Sequence, residues 1–200
     1  MTVETRDHPL PIPELRRAAA ASPSAAAHLR LGTALIKAGV VREAERELRA
    51  ALELDPRCAG AWVNLGGILL ARWDFAASIE ANQRAAALEP SLAIAHHDQA
   101  IGHLQLGDAE AAIGCLSRVV ELEPGNAAAF FHLGVSLQAL GRTAESRLCA
   151  AYAAELGYRA SPASLEALER AAAAAGRQAR SSNCTAPTRK EDSNGAAQGR

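Results

Sequence analysis

Three prolines, Pro56, Pro90 and Pro124, stand 34 residues apart, and each closes the same tripeptide: Leu54-Asp55-Pro56, Leu88-Glu89-Pro90, Leu122-Glu123-Pro124. Gly32, Gly66 and Gly134 keep the same register, with Ala100 in the missing slot. Gly39, Gly107 and Gly141 form a third set, in which Trp73 is the odd member. Three landmarks sharing one period mean an internal repeat. A repeat of this length is one supersecondary unit that buries its apolar face only by stacking on copies of itself. The units run 25–58, 59–92, 93–126 and 127–160.

Each unit reads as two helices. Trp62, Leu65, Gly66 and Leu69 fall at i, i+3, i+4 and i+7, one face of a helix. Phe75, Ile79 and Ala85 start a second stripe that ends before Pro90. The first unit repeats the pattern with Leu31, Gly32 and Leu35, then Ala44, Leu48, Ala51 and Leu52. Each landmark has a mechanical reason. The glycine inside the first helix lets the second approach its backbone. The glycine after the first helix takes a left-handed conformation at no steric cost. The proline stops the second helix and holds the preceding residue extended. Helices are expected at 25–38 and 42–54, 59–72 and 75–88, 93–106 and 109–122, 127–140 and 143–156. At Trp73 the turn is expected to adjust, avoiding positive φ and leaving the indole exposed.

Composition narrows the function. Of 200 residues 49% are hydrophobic but only 4% aromatic, and alanine dominates, as suits closely packed helices. No segment alternates β-branched and polar residues, so no sheet is expected. A net charge of −1 and the lack of a basic stripe argue against nucleic-acid binding. The first residues show no apolar signal region, and no stretch nears the ~18 apolar residues of a membrane span. The expectation is a cytoplasmic protein with no membrane partner. Cys58, Cys115, Cys149 and Cys184 form no CxxC pair and read as free thiols.

The segment from Trp62 to Leu69, Trp-x-x-Leu-Gly-x-x-Leu, followed by small, bulky, alanine and proline positions at fixed offsets, resembles the tetratricopeptide repeat family over roughly 25–158. The resemblance implies an all-α, right-handed superhelical solenoid of about four helix-turn-helix hairpins with a C-terminal capping helix. There are departures. Tyr158 stands where the fourth unit lacks its proline, His96 and His103 occupy slots usually aromatic, and Asn82 replaces a Phe or Tyr. His96 and His103 are expected to point into the core.

The resemblance also implies a concave groove lined by the first helix of each pair, holding a peptide or helix of another protein. Carried over by register, its candidate lining is Leu29, Arg30, Val63, Asn64, His97, Asp98, Ile101, Leu104, Phe131, His132 and Val135. Apolar pockets with sparse polar groups suit a peptide, and Phe131 is the expected anchor. Asn64 either bonds a peptide amide or faces water. The lysines with which a subgroup of the family grips chaperone tails are missing: Ala26, Gly60, Ile94 and Ala128 stand there. His97, Asp98 and His132 converge in such a groove, which leaves a metal site open as an alternative, although none is assigned. No catalytic constellation or cofactor motif is present, so the expectation is a non-enzymatic interaction adaptor without a cofactor. Self-association as a scaffold is the other reading.

The ends complete the plan. Residues 1–12 read as a flexible segment and 13–176 as the solenoid, with a short helix at 13–21. Ser161, Pro162, Leu165, Leu168 and Ala172 predict a capping helix over 162–175. The polar stretch 177–200 has too little apolar surface to offset ordering entropy and reads as a disordered tail.

Overall fold

The computed structural model describes residues 11–159, and among them are nine α-helices and no strand. They are α1 (Ile12–Ala21), α2 (Ala25–Lys37), α3 (Val41–Leu54), α4 (Ala59–Ala71), α5 (Phe75–Leu88), α6 (Ala93–Leu106), α7 (Ala109–Leu122), α8 (Ala127–Ala139) and α9 (Thr143–Glu155). Every limit lies within one residue of that expected from the 34-residue register. The capping helix at 162–175 and the tail 177–200 lie outside the described residues, as do residues 1–10 of the N-terminal segment. Ile12 already belongs to α1.

Helices pack in hairpins: α2 on α3, α4 on α5, α6 on α7 and α8 on α9. Each hairpin turn is closed by one recurring bond, from the residue just after the left-handed position back to a carbonyl near the end of the first helix. Val40 N donates to Leu35 O (2.9 Å), Asp74 N to Leu69 O (3.0 Å), Asp108 N to His103 O (2.9 Å) and Arg142 N to Leu137 O (2.9 Å). Tyr158 N to Ala153 O (2.9 Å) repeats the bond after α9. Such a bond requires a left-handed residue inside the turn. Gly39, Gly107, Gly141 and Gly157 supply it with φ from 74° to 83°.

Trp73 corrects the expectation. It takes φ 65° itself, and the bond from Asp74 to Leu69 that marks the other turns is kept. The strain costs about 1–2 kcal/mol. The indole is 74% exposed, as expected, and touches only the edge of Phe75 in the aromatic set.

The second helices open on side-chain caps where the sequence has them. Asp108 and Asp74 accept from the backbone N–H three residues on (3.0 and 3.4 Å), as do Ser24 at α2 and Asn126 at α8 (3.2 and 3.0 Å). At the far end, Asp55, Glu89 and Glu123 are extended before their prolines, with φ between −143° and −132°. Trp62 Nε1 donates to Pro56 O at 2.8 Å, and His96 Nε2 lies 3.1 Å from Pro90 O, one repeat on. His96 therefore does not enter the core. His103 is likewise only half-buried, 3.5 Å from the Asp108 carboxylate. An imidazole that finds a polar partner at the helix edge avoids the desolvation that burial demands.

Two apolar clusters form the core. One joins α1 to α4 around Leu31, Leu35 and Leu48; the other joins α6 to α8 around Leu116, Val119 and Ala129. Between them α5 buries polar side chains. Ser78 Oγ donates to Gly66 O (2.9 Å) and Asn82 Nδ2 to Ser78 O (3.0 Å), both residues fully buried. Asn82 Oδ1 has no hydrogen-bond partner. By register Asn82 corresponds to Leu48 and Leu116. Gly66 is what admits it, since a Cβ there would lie 2.3 Å from Asn82 Nδ2.

Two substitutions test this account by chemical denaturation. Gly66→Ala forces a methyl onto a fully buried amide and is expected to lower stability by roughly 1–3 kcal/mol. Asn82→Leu restores the leucine of the other units and removes the orphaned oxygen, with an expected gain of about 1–2 kcal/mol. A loss with Asn82→Leu would show the amide to be a stabilising element.

Candidate functional site

Among the first helices of the hairpins, α2 touches α4 and α4 touches α6. The 34-residue register lines up side chains across this row, the expected inner face. Leu29, Val63, His97 and Phe131 form one file, and Arg30, Asn64, Asp98 and His132 the next. Ile101 and Val135 follow.

Of the candidate lining residues, Leu29, Val63, Ile101, Phe131 and Val135 are half-buried, as are Asn64, His97, Asp98 and His132, and Arg30 is exposed. Leu104 is a correction. It is 3% exposed and part of the α6–α8 cluster. Burying a leucine in that cluster gains more than leaving it on the face.

Neighbouring inner helices are tied by polar contacts. Thr33 Oγ1 donates to Leu29 O (2.8 Å), and Asn64 Nδ2 donates to Thr33 Oγ1 (2.8 Å). Asn64 thus neither simply faces water nor keeps its full capacity for a ligand; its carbonyl oxygen is not used by these bonds. At α4 the absence of a side chain on Gly67 leaves room for Asp98, whose carboxylate would be 3.7 Å from a Cβ there. Asp98 Oδ1 lies 3.8 Å from His97 Nδ1, and His97 Nε2 lies 3.2 Å from His132 Nδ1. Phe131 is stacked on Tyr158, with centroids 4.6 Å apart and planes at 28°. One face of the expected anchor is therefore already covered, a contact that no spacing rule announces.

Burial, and then the neighbouring His97, hold His132 down to about 4 from its ordinary 6.5, so its ring is neutral at pH 7. Burial raises the thiols of Cys115, with help from Asp108, and of Cys149, with help from Glu145. Neutral thiols are poor nucleophiles. Cys58, Cys115 and Cys149 are free.

Two concavities lie elsewhere. One of about 350 Å³ sits among α1, α2 and α3, lined by Arg16, His28, Glu43 and Glu47. Its charges already satisfy one another, Arg16 with Glu43 at 2.6 Å and His28 with Glu47 at 2.7 Å. The other, of about 340 Å³, lies between α3 and α4 beside Trp62 and Arg49. Neither was foreseen, because both depend on how consecutive hairpins meet.

The buried imidazole predicts a pH dependence. The unfolded chain takes up a proton on His132 near pH 6.5, which the folded chain does not accept until about pH 4. Stability contributed by this group is complete above pH 6.5 and falls as the pH drops toward 4, by up to about 3 kcal/mol. Urea midpoints measured from pH 7 to 4.5, with chelator in the buffer, are expected to fall more steeply for the native chain than for His132→Gln. Parallel curves would show that His132 is not buried neutral.

Among curated proteins nothing matches the chain. Solved structures do. A crystal structure of MamA is 24% identical and covers 73% of this chain and 86% of that one, with a TM-score of 0.68. A second MamA crystal structure is 25% identical over 72% of this chain and 80% of that one, TM-score 0.66. The structure of MamA 41-end from Desulfovibrio magneticus RS-1 is 19% identical over 73% and 83%, TM-score 0.67. The family described as Tetratricopeptide repeat matches residues 29–93 and 97–164, more than half of the sequence. With eight of the nine helices among the described residues packed as four hairpins on one register, the chain belongs to the tetratricopeptide repeat family.

Proposed function

We propose that this chain is a non-catalytic adaptor, acting in the cytoplasm, that holds a peptide or helix of a partner protein against the inner helices. The observation that carries the reading is the row of half-buried apolar side chains Leu29, Val63, Ile101, Phe131 and Val135, interrupted by the polar Asn64, His97 and Asp98. Apolar side chains of a bound segment find partners along that row, and the polar groups orient its backbone. The part of Phe131 not covered by Tyr158 is the strongest anchor. The membership of the chain in a repeat family built for protein interaction supports the reading. No helix of the described residues is long and apolar enough to cross a membrane. Affinity for a short segment is expected in the micromolar range, about −8 kcal/mol, because ordering the segment opposes binding.

A scaffold that associates with itself is the second reading. It is favoured by Leu148 and Tyr152 of α9, 72% and 43% exposed, and by Trp73 in the turn of the second hairpin. Exposed large apolar side chains invite association with another surface.

The readings separate experimentally. Phe131→Ala and Ile101→Ala are expected to weaken capture of a partner by tenfold or more, about 1.4 kcal/mol each or above, with unchanged circular dichroism. Folded variants that bind like the native chain would rule out the inner face. Light scattering across a concentration series reads self-association; if a dimer or larger species dissociates with Leu148→Ser, the scaffold reading holds instead.

A further inference from the structure

Two imidazoles face each other across adjacent repeats on the inner face. His97 is contributed by α6 and His132 by α8, with His97 Nε2 and His132 Nδ1 3.2 Å apart and ring centroids separated by 5.2 Å. Two nitrogens bound to one tetrahedral zinc at ~2.0–2.1 Å are about 3.3 Å apart. The pair thus already has the bite of a chelate, between side chains on two separate helices. From these distances we propose that His97 Nε2 and His132 Nδ1 form an open site for a borderline divalent transition ion such as zinc, nickel or cobalt.

The tautomers required are available. Chelation needs a lone pair on each facing nitrogen, so the protons must sit on His97 Nδ1 and His132 Nε2. The Asp98 carboxylate lies on the Nδ1 side of His97 at 3.8 Å, within ion-pair reach and one small side-chain adjustment from a hydrogen bond. It favours the proton there and leaves Nε2 free, the carboxylate–histidine–metal arrangement of many metal sites. The His132 side chain is restrained by packing, with Phe131 beside it. The alternative use of the same geometry is a single N–H···N hydrogen bond, which needs one proton between the rings and offers a metal nothing.

Among the described residues no third His, Cys, Asp or Glu joins the pair in ligating range. The remaining positions of the ion are left to water, or to a His or carboxylate of a bound segment. The site therefore has modest affinity alone, and a partner bearing such a donor would bind more tightly with the ion than without it. The two-histidine site does not depend on the peptide reading, since an ion can be titrated with no partner present.

Full-length protein stripped with chelator is titrated with cobalt, nickel and zinc by calorimetry, and the cobalt complex is followed by its visible spectrum. One ion per chain is expected, with a nitrogen and oxygen spectrum free of thiolate charge transfer. His97→Gln and His132→Gln are each expected to lower affinity at least tenfold. His97 is the safer variant, being nearer the rim with 20% of its side chain exposed. His103→Gln, at the helix edge beside Asp108, serves as control and is expected to leave affinity unchanged. No saturable binding, affinity unchanged in His97→Gln, or a thiolate spectrum would each overturn the proposal.

Discussion

A single backbone hydrogen bond per hairpin sets the geometry on which everything else rests. From Val40 to Leu35, Asp74 to Leu69, Asp108 to His103 and Arg142 to Leu137, it folds the chain back within a few residues of the end of the first helix. With the turn that short, the second helix has one place to go, and it crosses the first where Gly32, Gly66 or Gly134 leaves no side chain in the way. The strength of the constraint shows at Trp73. A large aromatic accepts a left-handed conformation worth about 1–2 kcal/mol of strain rather than break the pattern, because a longer turn would shift the register of every later contact.

Packing density follows from the same constraint. Alanine and glycine at the crossings bring backbones close, and the large side chains, Leu35, Leu48 and Leu116 among them, fill the layers between. The apolar core is nevertheless not continuous. It divides into an α1–α4 part and an α6–α8 part, with the buried Ser78 and Asn82 of α5 lying outside both. In a linear array each hairpin is stabilised mainly by its neighbours. A hairpin with polar buried groups and an orphaned amide oxygen is a weak link between two better-packed ends. Gly102, whose absent Cβ would meet Ile79 Cγ1 at 2.7 Å, compensates with a tight approach of α6 onto α5.

The inner face combines this scaffold with sparse chemistry. Thr33 with Asn64, and His97 with His132, tie successive first helices together by side-chain contacts. The polar groups there hold neighbouring repeats in line, and Asn64 keeps its carbonyl oxygen outside the bonds that do so. Phe131 illustrates the same sharing, with one ring face on Tyr158 and the other free of that stack.

How much of this was legible in the chain differs by level. The helix limits were, to within a residue, because the signals are local: a proline at each second-helix end, a glycine at each turn, a cap such as Asp108. Which side chains face inward was legible only in part. Leu104 carried the same signature as Ile101, since periodicity marks an apolar face without saying which neighbour will cover it. His96 and His103 were expected inside by analogy with aromatic slots, and found polar partners at the edge. The stacking of Tyr158 on Phe131, the empty acceptor of Asn82 and the 3.2 Å meeting of His97 and His132 joined residues too far apart in sequence for any spacing rule. The sequence by itself determined a tandem helical-hairpin array, through backbone preferences that act over a few residues. Only the tertiary structure decided which of its polar groups pair and which are left without a partner, because those outcomes depend on distances set by how one hairpin stacks on the next.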